Sequence, residues 1–593
     1  MKLAQDWAAL PQVSHVHASG DGKWVLFCAS GLNEIDEVFA VPADGTAPPV
    51  QLTFGLDHHQ IRDVSHDGMV LVVAQSKHAS EHDHLMMLDR RVGNKLRLLT
   101  PKQDSHYVYG GRLTRDGQAM IFVADYDYNA EKVIEGGAVW WQNLTTGARR
   151  CLTRTTALFD RAPSFSPSGR DILLNVNERA PGGTQLWLMR ADGSGLRKVL
   201  DLGPHNNTRG DWISDDQIAF VTDRQGRDVV GVVSLSTGQV DYLGGEPDLC
   251  PFEVVAGDRR FALLAHDQSW TRALIGPALT PLPNASGRRS LLPHAPMPDG
   301  GWIAEAYDAD APHDIVRVLP DGSCRTLTRW AASARTYRRP RDFRWTSVDL
   351  RGCQGWLHEP PGPPKGFICY VHGGPTWHSE DWVNAKIGFW VQAGFTVLDP
   401  NYRGSTGFGH DWREAVKADG WGGREQADIR SGIAACVAAG IAQPGRIAVA
   451  GNSYGGFSSW FAITRHADLV TAAIPMCGMY RLDIDYHETE MPHGRAYSEE
   501  MMGGTPEEFP EKYANASPGN FIQDIRGQVM IVHGLADSNV GPENTHAAVR
   551  ELTAAGIPHQ VMLFGNEGHG VFRQTNVATY LARTVAFLDQ AFK

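Results

Sequence analysis

The stretch Ile447-Ala-Val-Ala-Gly-Asn-Ser453-Tyr-Gly-Gly-Phe457 decides how the rest of the chain is read. Four residues of an apolar strand run directly into a Gly-x-Ser-x-Gly turn, and a helix-compatible run continues to residue 465. Strand, sharp turn and helix in that order suit a nucleophilic serine: the strained turn lifts Oγ above the sheet, and the glycines let strand and helix approach. Outward from it, strand-like runs occur at Phe367 to Val371, Phe395 to Leu398, Ala472 to Pro475, Val529 to Val532 and Gln560 to Phe564. Helical spacing lies between them, as at 424 to 439, where Ile429, Ile433, Cys436 and Val437 recur, and at 455 to 465, 542 to 555 and 576 to 592. This alternation predicts a parallel sheet with helices on both faces, an α/β-hydrolase arrangement whose ligands sit at the carboxyl ends of the strands.

A serine hydroxyl is a weak nucleophile until a base takes its proton, and the base must be held by an acid, in the chain order Ser, then Asp or Glu, then His. Of the histidines after the strand at 529, His546 lies within an expected helix and His559 precedes a strand, whereas His569 lies in a loop after one, in Glu567-Gly-His569-Gly. Asp537 follows the carboxyl end of the strand Val529-Met-Ile-Val-His-Gly, while Asp468, Asp483, Asp485 and Asp524 follow no such strand. The expected catalytic residues are therefore Ser453 as nucleophile, His569 as base and then acid, and Asp537 as the group that fixes the imidazole. The tetrahedral intermediate needs two donors. The backbone N–H of Tyr454 supplies one, and the loop His372-Gly373-Gly374-Pro375 the other, with Gly374 preferred to Gly373.

The N-terminal half reads differently. A turn followed by a short apolar strand recurs at Asp21-Gly22, Asp67-Gly68, Asp116-Gly117, Ser168-Gly169, Asp215-Asp216, Gly257-Asp258 and Asp299-Gly300, a mean spacing of about 46 residues. Within several units a second strand ends in another turn, as in Val38-Phe-Ala-Val-Pro-Ala-Asp-Gly. One four-stranded blade per unit gives a seven-bladed β-propeller, preferred to a pair of β-sandwiches with coincidental turns. The expected architecture is multidomain, with the propeller over 1–325 and the α/β-hydrolase catalytic domain over 326–593. Seven arginines between Arg325 and Arg344 mark the junction and are read as solvated or ion-paired rather than catalytic.

Composition excludes other classes. Hydrophobic residues at 42% and charged residues at 21% are ordinary for a compact chain of 593 residues, too long for one core. Fifty-five Lys and Arg against 67 Asp and Glu give a net charge of -12, the wrong sign for a nucleic-acid partner. No signal-like or membrane-spanning apolar run occurs, so a soluble, cytoplasmic chain without a membrane partner is expected. Eight scattered cysteines without a Cys-x-x-Cys pair suggest buried thiols, with no metal and no cofactor; assembly into a homo-oligomer stays open. His78-Ala-Ser-Glu-His82-Asp-His84 is read as a solvated loop, Glu488, Glu490 and Glu500 as surface carboxylates, and Trp460 and Phe461 as core. No substrate-binding residue is assigned.

Residues 345 to 593 resemble the prolyl oligopeptidase family of serine peptidases, nearest to its acylaminoacyl peptidase and dipeptidyl aminopeptidase branch. The likeness rests on His372-Gly-Gly-Pro375, Asn401-Tyr-Arg-Gly-Ser-Thr-Gly-Phe-Gly409, Gly451-Asn-Ser-Tyr-Gly-Gly456, Ser517-Pro518, His533-Gly-Leu-Ala-Asp537 and Glu567-Gly-His-Gly570. It implies a serine exo- or oligopeptidase of short peptides whose propeller screens access to Ser453. Members of the branch often carry Arg two residues after the acid and then Val-Pro, where this chain has Asp537-Ser-Asn539-Val-Gly541-Pro. Arg403 is retained and is read as structural or as supporting the site through another residue. Two other functions remain in play: an esterase or amidase of a small non-peptide substrate using the same three residues, and a non-catalytic propeller scaffold.

Overall fold

The computed structural model describes residues 1–101, 106–159, 161–180, 182–203, 206–246, 248–330, 338–492 and 494–593. The chain divides into two compact units. One comprises Pro11–Lys77 and Glu81–Ala334; the other comprises Met1–Leu10, His78–Ser80 and Arg335–Lys593.

The first unit holds seven antiparallel sheets among the described residues, spanning 12–51, 58–98, 108–155, 158–200, 209–242, 250–281 and 290–326, with strands paired in chain order. It is the seven-bladed propeller. Six sheets have four strands; the fourth has five, because two short pieces, Leu158–Phe159 and Ser164–Phe165, both pair with Asp171–Ala180. Six of the seven repeated turns join a blade's first and second strands, and Ser168-Gly169 joins the second short piece of the fourth blade to Asp171–Ala180. The local chemistry explains the repeated Asp-Gly. Ser19 Oγ donates to Asp21 Oδ1 at 2.7 Å, the same oxygen accepts from the Lys23 N–H at 3.1 Å, and Gly22 takes φ +71°. Asp67 and Asp116 repeat the pattern with Ser65 and Thr114. Neighbouring blades bury a shared apolar layer. One layer packs Leu26 and Val38 on Leu71 and Val73, and another packs Val25 and Phe27 on Met297, Ile303 and Ile315, which joins the last blade to the first.

His78 to His84 is not the solvated loop expected. His78 and Ala79 lie in a short 3-10 turn, but His82 and His84 are buried, the His82 ring packs tilted against Tyr107 at 4.4 Å, and Asp83 opens a strand.

The second unit is built on one eight-stranded sheet: β1 (Arg341–Thr346), β2 (Gly352–His358), β3 (Gly366–Val371), β4 (Phe395–Asn401), β5 (Ile447–Asn452), β6 (Ala472–Met476), β7 (Gln528–Gly534) and β8 (His559–Phe564). Its order is β1-β2-β4-β3-β5-β6-β7-β8; β1, β2 and β4 pair antiparallel and all other neighbours parallel. Side chains alternate between two cores with the period of two that a strand imposes. Phe367, Cys369, Val371, Val449 and Ile531 face one, while Ile368, Ala448, Ala450, Met530 and Val532 face the other.

Helix α1 (Lys2–Ala8) belongs to this unit rather than to the propeller, so the expected division at 325/326 differs from the units at both ends. Trp7 is the reason. Its ring lies against α2 (Ala385–Gln392) where Gly388 has no side chain, since a Cβ there would fall 2.1 Å from the indole, and its Nε1 donates to Gln392 Oε1 at 2.7 Å. The remaining helices used below are α3 (Arg424–Ala438), α4 (Tyr454–Arg465), α5 (Leu482–Glu488), α6 (Gly494–Met502), α7 (Pro510–Ala516), α8 (Glu543–Ala554) and α9 (Gln574–Ala591). Of the junction arginines, Arg335 lies outside the described residues, while Arg341 and Arg344 sit 3.8 Å from Glu359 and 3.0 Å from Asp342.

Candidate active site

Strand β5 ends at Asn452 and α4 begins at Tyr454, leaving Ser453 alone on the turn at φ +58°, ψ -121°. Such a left-handed backbone is costly for a residue with a side chain, and the surroundings hold it. The Ser453 N–H donates to Met476 O at 3.0 Å, and the crossing leaves no room beside the backbone. A Cβ on Gly455 would stand 1.9 Å from Val371 O, and one on Gly451 2.4 Å from the same oxygen. The glycines of Gly-x-Ser-x-Gly are thus explained by β3 passing directly beneath the turn.

His569 lies in the loop after β8 and Asp537 in the loop after β7. The structure brings their side chains together: His569 Nδ1 is 2.8 Å from Asp537 Oδ2 and 3.0 Å from Oδ1. Asp537 is buried, and its Oδ1 also accepts the N–H groups of Asn539 and Val540, each at 3.0 Å. Burial alone would raise its carboxyl; the charges and donated protons of His569 and His533 outweigh it and hold the group far below the usual carboxylate range. The loop of His569 reaches the turn of Ser453 through Asn452 Nδ2, which donates to His569 O at 3.4 Å.

The loop after β3 closes on the same turn. A Cβ on Gly373 would lie 3.4 Å from the Ser453 Cβ, so this backbone passes alongside the serine, and Gly374 follows at φ +118°. Buried side chains fix the loop from behind. Tyr402 Oη donates to His372 O at 2.9 Å, and His372 sits 2.7 Å from Gly373 O through Nδ1 and 2.9 Å from Ser405 Oγ through Nε2. Burial lowers His372 to about 3, so its ring is neutral, with the Nδ1 proton on the carbonyl. Tyr454 is buried, and its Oη donates to Glu425 Oε1 at 3.0 Å, anchoring the first residue of α4 to α3. Burial pushes Glu425 up to about 7.

Arg403 is buried on two carboxylates: its Nε and Nη2 reach Asp428 at 2.7 Å each, and Nη1 reaches Asp349 at 2.9 Å. That matches a structural reading. Glu500 pairs with Lys417, Glu488 and Glu490 are exposed, and Trp460 and Phe461 are core residues. Two groups escaped the sequence reading. Asp485, on α5, is buried with no hydrogen bond to Oδ1 among the described residues, and burial together with the charge of Asp537 pushes it up to about 7. His533, on β7, lies behind Asp537 with its Nε2 3.3 Å from Oδ2. The only signal for His533 is its place four residues before the acid; nothing in the sequence reveals what it faces.

Residues 382–593 match the prolyl oligopeptidase family. Across 98% of this chain and 87% of the relative, the sequence is 23% identical to dipeptidyl aminopeptidase BIII of Pseudoxanthomonas mexicana. It is 22% identical to dipeptidyl-peptidase 5 of Porphyromonas gingivalis over 77% of this chain and 62% of that one, and 28% identical to an acylamino-acid-releasing enzyme of Arabidopsis thaliana over 37% and 30%. Among solved structures, a puromycin-hydrolyzing peptidase of Mycobacterium tuberculosis superposes with a TM-score of 0.85 at 22% identity, covering 100% of this chain and 96% of that one. An acylaminoacyl peptidase in complex with Z-Gly-Gly-Phe-chloromethyl ketone superposes with a TM-score of 0.74 at 15% identity, over 98% and 96%.

Proposed function

We infer, for a chain whose residues 382–593 match the prolyl oligopeptidase family, a serine peptidase that cleaves short peptides through an acyl-enzyme. The observation that carries this reading is the pairing of the part-exposed His569 with the buried Asp537 at 2.8 Å, joined through Asn452 to the strained turn of Ser453. In the proposed reaction Ser453 Oγ attacks the peptide carbonyl as His569 Nε2 takes its proton. Asp537 holds the proton of the other ring nitrogen and stabilises the imidazolium. The oxyanion is received by the N–H groups of Tyr454 and Gly374. His569 then returns the proton to the leaving amine, and water enters by the same base to release the acyl group. The names of the relatives, dipeptidyl aminopeptidase and acylamino-acid-releasing enzyme, favour release of short units from the amino end of the peptide. We place the protein in the cytoplasm; eight cysteines without a disulfide among the described residues suit a reducing compartment.

The test is labelling by a fluorophosphonate, followed by turnover of aminoacyl-, N-acylaminoacyl- and dipeptidyl-anilides beside simple p-nitrophenyl esters. Labelling at Ser453, anilide turnover, and loss of both in a folded Ser453→Ala variant are expected. Turnover of the esters alone would make the protein an esterase. Anilide turnover surviving in Ser453→Ala would remove the serine from the reaction.

A further inference from the structure

Asp537 stands between two histidines. His569 approaches from the Ser453 side; from behind, the wholly buried His533 approaches with Nε2, 3.3 Å from Asp537 Oδ2 and 2.9 Å from Val540 O. Both of those oxygens only accept. Nε2 must therefore carry the proton, whatever Nδ1 does, and it is shared between the carboxylate and the backbone of the loop that carries it. The other ring nitrogen is 2.7 Å from Thr545 Oγ1, on the first turn of α8, so the imidazole is pinned at both ends. Cys477, at φ +44° after β6, closes the group: its Sγ, a His533 ring nitrogen and an Asp537 oxygen lie within 4.8 Å of one another.

We propose that His533 is a positioning residue for the catalytic acid: by donating from Nε2 to Asp537 Oδ2 and Val540 O at once, it aims the carboxylate at His569 Nδ1. This rests on the reading of Ser453, His569 and Asp537 as the reacting set. The loop from Leu535 to Gly541 has no helix or strand to fix Asp537, and the N–H bonds to its carboxylate from Asn539 and Val540 both fall on Oδ1. Oδ2 is the oxygen nearer to His569, and His533 Nε2, from β7, is a second donor within reach of it. The donation also withdraws charge from the carboxylate, so it tempers how strongly the imidazolium of His569 is held.

Two amide substitutions separate this role from simple filling of space. In His533→Gln the side-chain N–H reaches roughly where Nε2 lies; in His533→Asn it reaches only the position of Nδ1, on the Thr545 side. The expectation is that His533→Asn lowers kcat by about 10- to 100-fold, the range for losing a partner one step removed from a working group, with KM within about threefold. The acid limb of its kcat/KM profile should move to higher pH, because a carboxylate freed of one donor stabilises the imidazolium more. His533→Gln should recover most of kcat and the wild-type limb. Asp485 faces the same pair, and its ionisation is common to all these proteins. Asp537→Asn runs alongside. If it keeps near-normal kcat, the reacting set is wrong. If Asp537→Asn is crippled while His533→Asn and His533→Gln are both wild type, or both are equally impaired with an unmoved acid limb, His533 fills space and the proposal fails.

Discussion

Asp537 receives protons from His569, His533 and two backbone N–H groups, and this sets how the protein meets acid. Its folded-state pKa is depressed, so the stability it contributes is present above the unfolded value near 3.9 and is lost only as pH falls through the much lower folded value. Activity should fail sooner than the fold does. The kcat/KM profile is expected to decline in weak acid as an imidazole protonates, while circular dichroism stays native; loss of activity that tracks unfolding would place the sensitive group elsewhere. Asp537→Asn should lower kcat by roughly 10⁴-fold, because an amide favours the wrong tautomer of His569. Asp399, on β4, shows the opposite sign. It is buried, among the described residues only the Ser379 hydroxyl donates to it, at 2.5 Å, and burial pushes it up to about 7. The folded protein therefore holds a proton that the unfolded chain releases near 3.9, and stability is lost as pH rises through this window. Asp399→Asn, which keeps the acceptor for Ser379, should raise Tm at pH 8 and have a smaller effect at pH 5; equal Tm changes at the two pH values would show that the carboxyl does not titrate between them.

At the scale of elements, the crossing of β3 under the turn of Ser453 tolerates nothing larger than hydrogen. Gly455→Ala would put a methyl carbon 1.9 Å from Val371 O. The substitution should destabilise the unit by about 3 kcal/mol or more, or prevent folding; a variant with wild-type Tm in a thermal melt would mean the crossing can open. That junction was legible from sequence because its signals are local: an apolar strand, a motif with fixed glycines, a helical period. β3 to β8 were found for the same reason, and so was the propeller, through a turn whose Asp and Gly each have a backbone task. β1 and β2 were not. Arg341–Thr346 is a charged edge strand with one buried residue, and its pairing with β2 is written in no period of its own. Helices α5 to α7 are short and give little repeat to read. The pairing of Asp537 with His569 was inferred from chain order, whereas the approach of His533 from behind depends on packing between β7 and α8 that no spacing encodes.

The whole molecule returns to its first residues. α1 gives Ala4, Trp7 and Ala8, and Leu10 just beyond it follows, to the same core as Phe389, Trp390, Leu581 and Phe587. Sequence reading assigned these residues to the propeller because neighbours in sequence usually pack together, and a contact between side chains 385 residues apart leaves no local trace. Trp7→Ala should lower the thermal transition of the hydrolase unit by about 5 to 10 °C, from a loss of roughly 3 to 5 kcal/mol, and leave the propeller transition in place; a calorimetric trace with neither transition moved would mean α1 contributes nothing. The placement of α1 also imposes a timetable on biosynthesis. At roughly 5 to 20 residues per second, Trp7 is added to the chain about 20 to 80 s before Gln392. All seven blades are translated in that interval, while the indole waits without its partner. The propeller is thus inserted in sequence within the second unit, whose helix α1 is synthesised before the blades and seated only after them.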